Sequence, residues 1–86
     1  MVPTVWPDWW EWELRLTRHL EVRMEQRGLP EDGLREIMEA ATGFSPAVEE
    51  GRFAVFGYRR GRLWKLIVEP DPDGRVLVAV TVFGEE

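Results

Sequence analysis

The feature that most constrains the fold of this chain is a carboxy-terminal segment that is apolar on both of its alternating faces. Residues 75–83 carry four valines on one face and Leu77, Ala79 and Phe83 on the other, where Thr81 is the single polar interruption. Successive side chains of a strand point to opposite faces, and strands that are apolar on both faces are typical of sheets covered on both sides. We therefore predict a central strand with a covering layer on each face.

Two further strands precede this segment. Alternating apolar residues predict them over residues 52–58 and 62–69. The turn Arg59-Arg60-Gly61 and the turn at residues 70–74 are rich in the residue types that hairpin turns prefer. The last three strands are therefore expected to form two consecutive hairpins.

Tryptophan is concentrated near the amino terminus, where four of the five tryptophans lie between residues 5 and 12. The alternation that begins at Trp10 predicts a strand over residues 10–16. Trp6 and Trp9 precede it and either enlarge the core or, as interface tryptophans do, anchor a partner or a second copy. Extra core is the favoured use in so small a domain; Trp6 and Trp9 are the candidate interface residues under the alternative.

Two helices are expected between the first strand and the last three. Thr17 can cap the first helix with its hydroxyl, and Gly28 can end it in the left-handed conformation. The second helix carries apolar side chains at i, i+3, i+4 and i+7, up to Ala41, and ends at Gly43. Residues 44–51 are predicted to form a loop.

These elements predict a single α+β domain over residues 1–86, of which residues 1–9 form a tryptophan-rich arm. The expected order is β-α-α-β-β-β, with two helices packed on one face of an antiparallel sheet. The absence of cysteine excludes disulfides, and a single histidine excludes a histidine-rich metal site. We expect no metal and no cofactor.

The charge and the amino terminus limit the function classes. The net charge of −5 argues against indiscriminate nucleic-acid binding. The amino terminus lacks a basic region followed by an apolar run, and no apolar stretch reaches the roughly 20 residues of a membrane span. We therefore expect a cytoplasmic protein with no membrane partner.

The first helix carries a polar stripe. His19, Arg23 and Arg27 are spaced four residues apart and share one helix face. On a helical wheel, Arg23 and Arg27 fall within the apolar arc, so they are expected to point towards whatever the helix packs on. A helix that holds arginines in this way either uses them to bind an anion or bonds them to the sheet.

The motif Thr17-x-His19-x3-Arg23-x3-Arg27-Gly28-Leu29 resembles the opening helix of uncharacterised bacterial small domains related to BrnT toxins. That family belongs to the RelE/ParE-like superfamily of toxin–antitoxin systems. The likeness extends over about residues 13–83 and includes the final run Val80-Thr81-Val82-Phe83. The resemblance implies a RelE-like fold, a metal-independent ribonuclease ancestry and an antitoxin protein as partner.

Metal-free RNA cleavage requires an acid, a base and cations that stabilise the phosphorane. Histidine exchanges protons near neutral pH and arginine binds phosphate bidentately, so His19, Arg23 and Arg27 are the candidate catalytic residues. Lys65 and Tyr58 are further candidate catalytic residues, which could supply a proton or a hydrogen bond.

The only basic segment of this acidic chain lies at residues 52–65. Its turn residues Arg59, Arg60 and Arg62 are candidate RNA-binding or anion-binding residues, or else a solvated turn. Two interpretations of the whole chain remain: a ribonuclease toxin, with RNA and an antitoxin as partners, or a non-catalytic module that forms a homodimer or binds a partner protein.

Overall fold

The computed structural model describes residues 7–85 and contains two helices and a five-stranded mixed sheet. A single 3-10 turn, Asp8–Glu11, comes first. The helices are α1, Arg18–Arg27, and α2, Glu31–Glu39. The strands are β1 Glu13–Leu16, β2 Ala41–Pro46, β3 Phe53–Arg59, β4 Arg62–Asp71 and β5 Val76–Glu85.

The sheet has the order β1-β5-β4-β3-β2, which differs from the expected arrangement in two ways. The predicted α+β class is confirmed, but the predicted antiparallel sheet is wrong because β1 pairs parallel to β5. The other neighbouring strands are antiparallel. A parallel pair needs a long crossover, which the chain provides through both helices and three strands.

The second difference is an extra strand. The sequence predicts a helix up to Gly43 and a loop over residues 44–51, whereas α2 ends at Glu39 and β2 begins at Ala41. Ala41 continues the helical spacing of apolar residues, but its position is decided by pairing with Gly57 of β3. The observed element order is therefore β-α-α-β-β-β-β.

The predicted limits of the first helix are confirmed. The Thr17 hydroxyl accepts a hydrogen bond from the backbone N–H of Leu20 at 3.1 Å, and Gly28 adopts the left-handed conformation at φ 67°. Neither helix of residues 7–85 is long and apolar enough to cross a membrane.

The turn between β3 and β4 contains two residues, Arg60 and Gly61, with φ values of 53° and 76°. Positive φ at both central positions is the requirement of the type I′ turn, whose twist matches that of the flanking strands. This turn fixes the register so that Arg59 faces Arg62 and Tyr58 faces Leu63.

The first half of the strand that is predicted over residues 10–16 is not a strand in the structure. A strand is expected over residues 10–16, but residues 8–11 form the 3-10 turn and β1 begins only at Glu13. The turn allows Trp9 to enter the core, where its ring lies 5.7 Å from that of Phe44 and 5.1 Å from that of Phe53. Trp6 lies outside the described residues.

Both helices lie on one face of the sheet, where α1 packs on β5 and α2 packs on β3. Leu20 of α1, Ile37 of α2 and Leu66 of β4 are fully buried in one apolar cluster. Gly57 of β3 allows α2 to lie close against the strand, because a Cβ at this position would overlap the backbone carbonyl of Ile37. We call this side of the sheet the helix face.

The opposite side of the sheet is not covered by any helix or strand of residues 7–85, and we call it the open face. The apolar character of β5 predicts a covering layer on both sides, and the structure provides one on the helix face only. Leu77 and Val82 are fully buried on the helix face, whereas Val78 and Phe83 are only half-buried on the open face. The predicted grouping of these residues is wrong beyond residue 80, because a bulge in the pairing of β4 with β5 reverses the alternation there.

Candidate functional site

The predicted catalytic residues of α1 lie on and beside its solvent-facing side. His19 and Arg27 are exposed and Arg23 is half-buried. The expectation that Arg27 points into the packing face is wrong, because Leu20 and Met24 alone occupy that face and α1 ends at Arg27. Within residues 7–85, none of the three forms an ion pair or a side-chain hydrogen bond.

Lys65 and Tyr58 lie on the other side of the sheet from α1. Lys65 pairs with Phe56 and Phe83, and these three side chains alternate with those that face the helices. Tyr58 is 53% exposed on the same open face. The sheet therefore separates Lys65 and Tyr58 from the polar stripe of α1, and the five candidate catalytic residues do not converge on one site.

The three arginines of the basic turn have different surroundings. Arg59 lies on the helix face, with its Nε 3.4 Å from Oε2 of Glu36, and its side chain is only 10% exposed. Arg62 stacks on Trp64, with its guanidinium carbon 4.8 Å from the centre of the ring. Arg60 is exposed at the tip of the turn. Of these three candidate anion-binding residues, Arg59 and Arg62 are thus engaged within the fold.

The open face carries side chains from four neighbouring strands, and strand register arranges them in rows. The central row crosses four strands at one level and consists of Ser45, Ala54, Ile67 and Thr81. Three of these residues are small, so the row forms a shallow furrow between larger neighbours. Thr81 Oγ1 is buried in it and has no hydrogen-bond partner in the described part of the chain.

Two further rows border the central row. Phe56, Lys65 and Phe83 form what we call the aromatic row, on the side towards the β3–β4 turn. Arg52, Glu69 and Val78 form the charged row on the other side. In the aromatic row, the Lys65 ammonium lies 5.3 Å from the centre of the Phe83 ring and has no carboxylate partner among residues 7–84.

The charged row is held together by Arg52. Its Nε donates to Oε1 of Glu69 at 2.9 Å, and its Nη1 lies 2.9 Å from Oε2 of Glu49. The hydrogen bond to Glu69 raises the pKa of the Arg52 guanidinium, and Glu49 adds to the effect. Arg52 stays charged, and with two carboxylates beside it the group carries a net negative charge.

The segment between β2 and β3 borders the open face and turns part of it into a groove of about 410 Å³. The floor of the groove includes Phe56, Ile67 and Val80, and its rim carries Val48, which is fully exposed. The lining is mainly apolar, so the groove is suited to binding apolar side chains.

One sequence pattern points to the open face, namely the apolar residues on both faces of β5. The apolar residues on both faces of β5 require something to cover them, but the sequence does not reveal that the described chain covers only one. In contrast, residues 7–85 bring no three histidine, aspartate or glutamate side chains close enough together to hold a metal ion.

Comparison of the chain with family models, with curated proteins and with solved structures found no match. The resemblance to BrnT-related toxins therefore stays a prediction that rests on the residues of α1 and β5.

Proposed function

We propose that this protein is a non-catalytic interaction module that binds a partner protein through its open face. The observation that carries the proposal is the apolar surface on β3, β4 and β5, which no element of residues 7–85 covers. Contiguous exposed apolar patches larger than a few hundred Å² mark interaction sites in soluble proteins, because water around them is released when a partner binds.

The composition of the open face supports a protein partner. Phe56, Ile67 and Phe83 provide large apolar side chains, and Lys65 lies between the two phenylalanines. Aromatic side chains are enriched at protein–protein interfaces, and charged side chains among them select a partner of complementary charge. Trp9 does not contribute, because it is 9% exposed within the core.

The ribonuclease hypothesis stays a prediction with weaker support. It requires a cationic site with a proton donor and acceptor in reach of one phosphate. The sheet separates Lys65 and Tyr58 from His19, and two of the three turn arginines are engaged within the fold. Of the five candidate catalytic residues, only His19, Arg23 and Arg27 share one element, α1.

Site-specific photo-crosslinking tests the proposal. A photoreactive phenylalanine analogue is placed at Phe56, on the open face, and in a matched control at Arg35, which is exposed on α2. After irradiation in the cells that produce the protein naturally, we expect one discrete adduct from position 56 and none from position 35. The absence of a discrete adduct from position 56 would contradict the proposed function.

A further inference from the structure

We propose that the partner of the open face is a second copy of this chain, related by a two-fold axis that runs along the central row, perpendicular to the strands. The inference rests on the proposed function of the open face as a binding surface. It goes further by naming the occupant and the symmetry, both of which follow from the order of the rows.

A two-fold axis along the central row brings the aromatic row of one copy onto the charged row of the other. Each strand then lies over the same strand of the second copy and runs antiparallel to it. A residue on one side of Ile67 faces the residue that lies equally far from Ile67 on the other side. Lys65 comes to face Glu69 of the second copy, since each lies two residues from Ile67 on the open face. The ammonium of Lys65 is thereby paired with the carboxylate of Glu69 of the second copy, and the two-fold symmetry produces two such ion pairs.

The remaining members of the two rows are also complementary. Phe56 lies level with Lys65 and comes to face Arg52 of the second copy, which is a favourable cation–π pair. Phe83 comes to face Val78, and both are apolar and half-buried in the single chain. All three cross-axis pairs are therefore chemically matched.

The buried hydroxyl of Thr81 supports the position of the axis. Thr81 lies level with Ile67, so the axis brings it opposite its own copy. A threonine hydroxyl can donate and accept, which makes it complementary to itself. Its Oγ1 has no partner among residues 7–85 and is shielded from solvent, so a rotation about χ1 is needed to turn it towards the hydroxyl of the second copy or a bridging water.

The other in-plane orientation of a two-fold axis is unfavourable. An axis parallel to the strands and through β4 would bring Lys65 opposite Lys65 and Glu69 opposite Glu69. Like charges placed opposite one another destabilise an interface. The separation of Lys65 from Glu69 along β4 therefore selects the perpendicular axis.

The open face is close to the size that a stable pair requires. Five strands about 4.8 Å apart, with up to ten residues at about 3.3 Å each, give a face of at most roughly 24 by 33 Å. A standard interface buries about 800 Å² on each partner, so the pair would need the whole of this face. The exposed Val48 on the groove rim would extend the contact beyond the strands.

Charge reversal tests the predicted pairing of Lys65 with Glu69. Lys65→Glu and Glu69→Lys each create like-charged contacts, and we expect each to weaken self-association by about tenfold or more in sedimentation experiments. An equimolar mixture of the two variants restores opposite charges at both contacts, so we expect it to form the mixed pair. Arg35→Glu on α2 is the matched charge control and should leave association unchanged.

A thiol crosslinker tests the axis independently, because the chain contains no cysteine. Thr81→Cys places a thiol beside the proposed axis, and Val22→Cys places one on the exposed side of α1. With a short bis-maleimide, we expect a species of twice the chain mass from Thr81→Cys only. Unchanged unfolding curves in urea establish that each variant is folded.

The outcomes separate this inference from the proposed function. A wild-type chain that stays monomeric up to about 1 mM, the weak end of specific association, would overturn the two-fold pair. If the analogue at Phe56 then crosslinks to a different protein, the open face still binds a partner and only the second copy is excluded. If it crosslinks to nothing, the proposed function fails as well.

Discussion

The hydroxyl of Thr17 joins the start of α1 to β5, because it donates a hydrogen bond to the carbonyl of Val80 at 3.0 Å while it accepts one from Leu20. The backbone N–H of Thr17 also donates to the carbonyl of Ala79 at 3.2 Å. Leu16 is the last residue of β1 that pairs with β5, so Thr17 continues this connection where the ladder stops.

Removal of this hydroxyl should destabilise the whole fold. We expect Thr17→Val to lower the free energy of unfolding by about 1–2 kcal/mol, because it removes a helix cap and leaves the Val80 carbonyl without this donor. Urea unfolding followed by circular dichroism measures the change. Thr17→Ser keeps the hydroxyl and is the control; an equal loss in both variants would contradict this role.

The close approach of α2 to β3 should make Gly57 intolerant of any side chain. Since a Cβ at Gly57 would overlap the backbone carbonyl of Ile37, we expect Gly57→Ala to cost about 1–3 kcal/mol of stability. Gly43 is the matched control in the neighbouring strand, because a Cβ there meets no atom within 4 Å. Similar unfolding midpoints for Gly57→Ala and Gly43→Ala would show that the approach is looser than the structure indicates.

Trp9 should contribute to stability and not to association. Its ring packs against Phe44 and Phe53, so we expect Trp9→Ala to lower the free energy of unfolding by about 3–5 kcal/mol. Trp9→Phe retains part of the packing, and we expect it to remain folded with a smaller loss. If Trp9→Phe instead dissociates the protein without changing its thermal unfolding, Trp9 is an interface residue.

The non-catalytic proposal predicts that the protein leaves RNA intact. We expect induced expression of the wild type and of the double variant His19→Ala, Arg23→Ala to give the same growth curve and the same ribosomal RNA profile. The structural reason is the separation of the candidate catalytic residues by the sheet. Growth arrest by the wild type that the double variant relieves would instead support a ribonuclease toxin.

Local signals predicted much of the fold correctly. Thr17 and Gly28 have the capping chemistry that the limits of α1 require, and the turn at Arg60 and Gly61 has the backbone conformation of a hairpin. Those features depend on a few adjacent residues, whose preferences are strong. The run of apolar residues that ends at Phe83 is also a local signal, and it predicts β5.

The features that the sequence did not reveal depend on distant partners. β2 contains Gly43 and Pro46, which have low strand propensity, and becomes a strand because β3 offers hydrogen bonds beside it. The parallel pairing of Glu13 with Val76 brings together residues far apart in sequence. Lys65 and His19 form one candidate set by chemistry alone, because no local pattern shows which face of the sheet the helices cover.

The two edge strands of the described sheet limit the size of the assembly that association through the open face can form. β1 has only four residues, and β2 carries a register irregularity after Ala41 and ends at Pro46, which has no backbone N–H to donate. Neither edge is a good template for another strand. Association through the face would therefore stop at a closed pair, whereas a chain with long free edges could grow into a fibre.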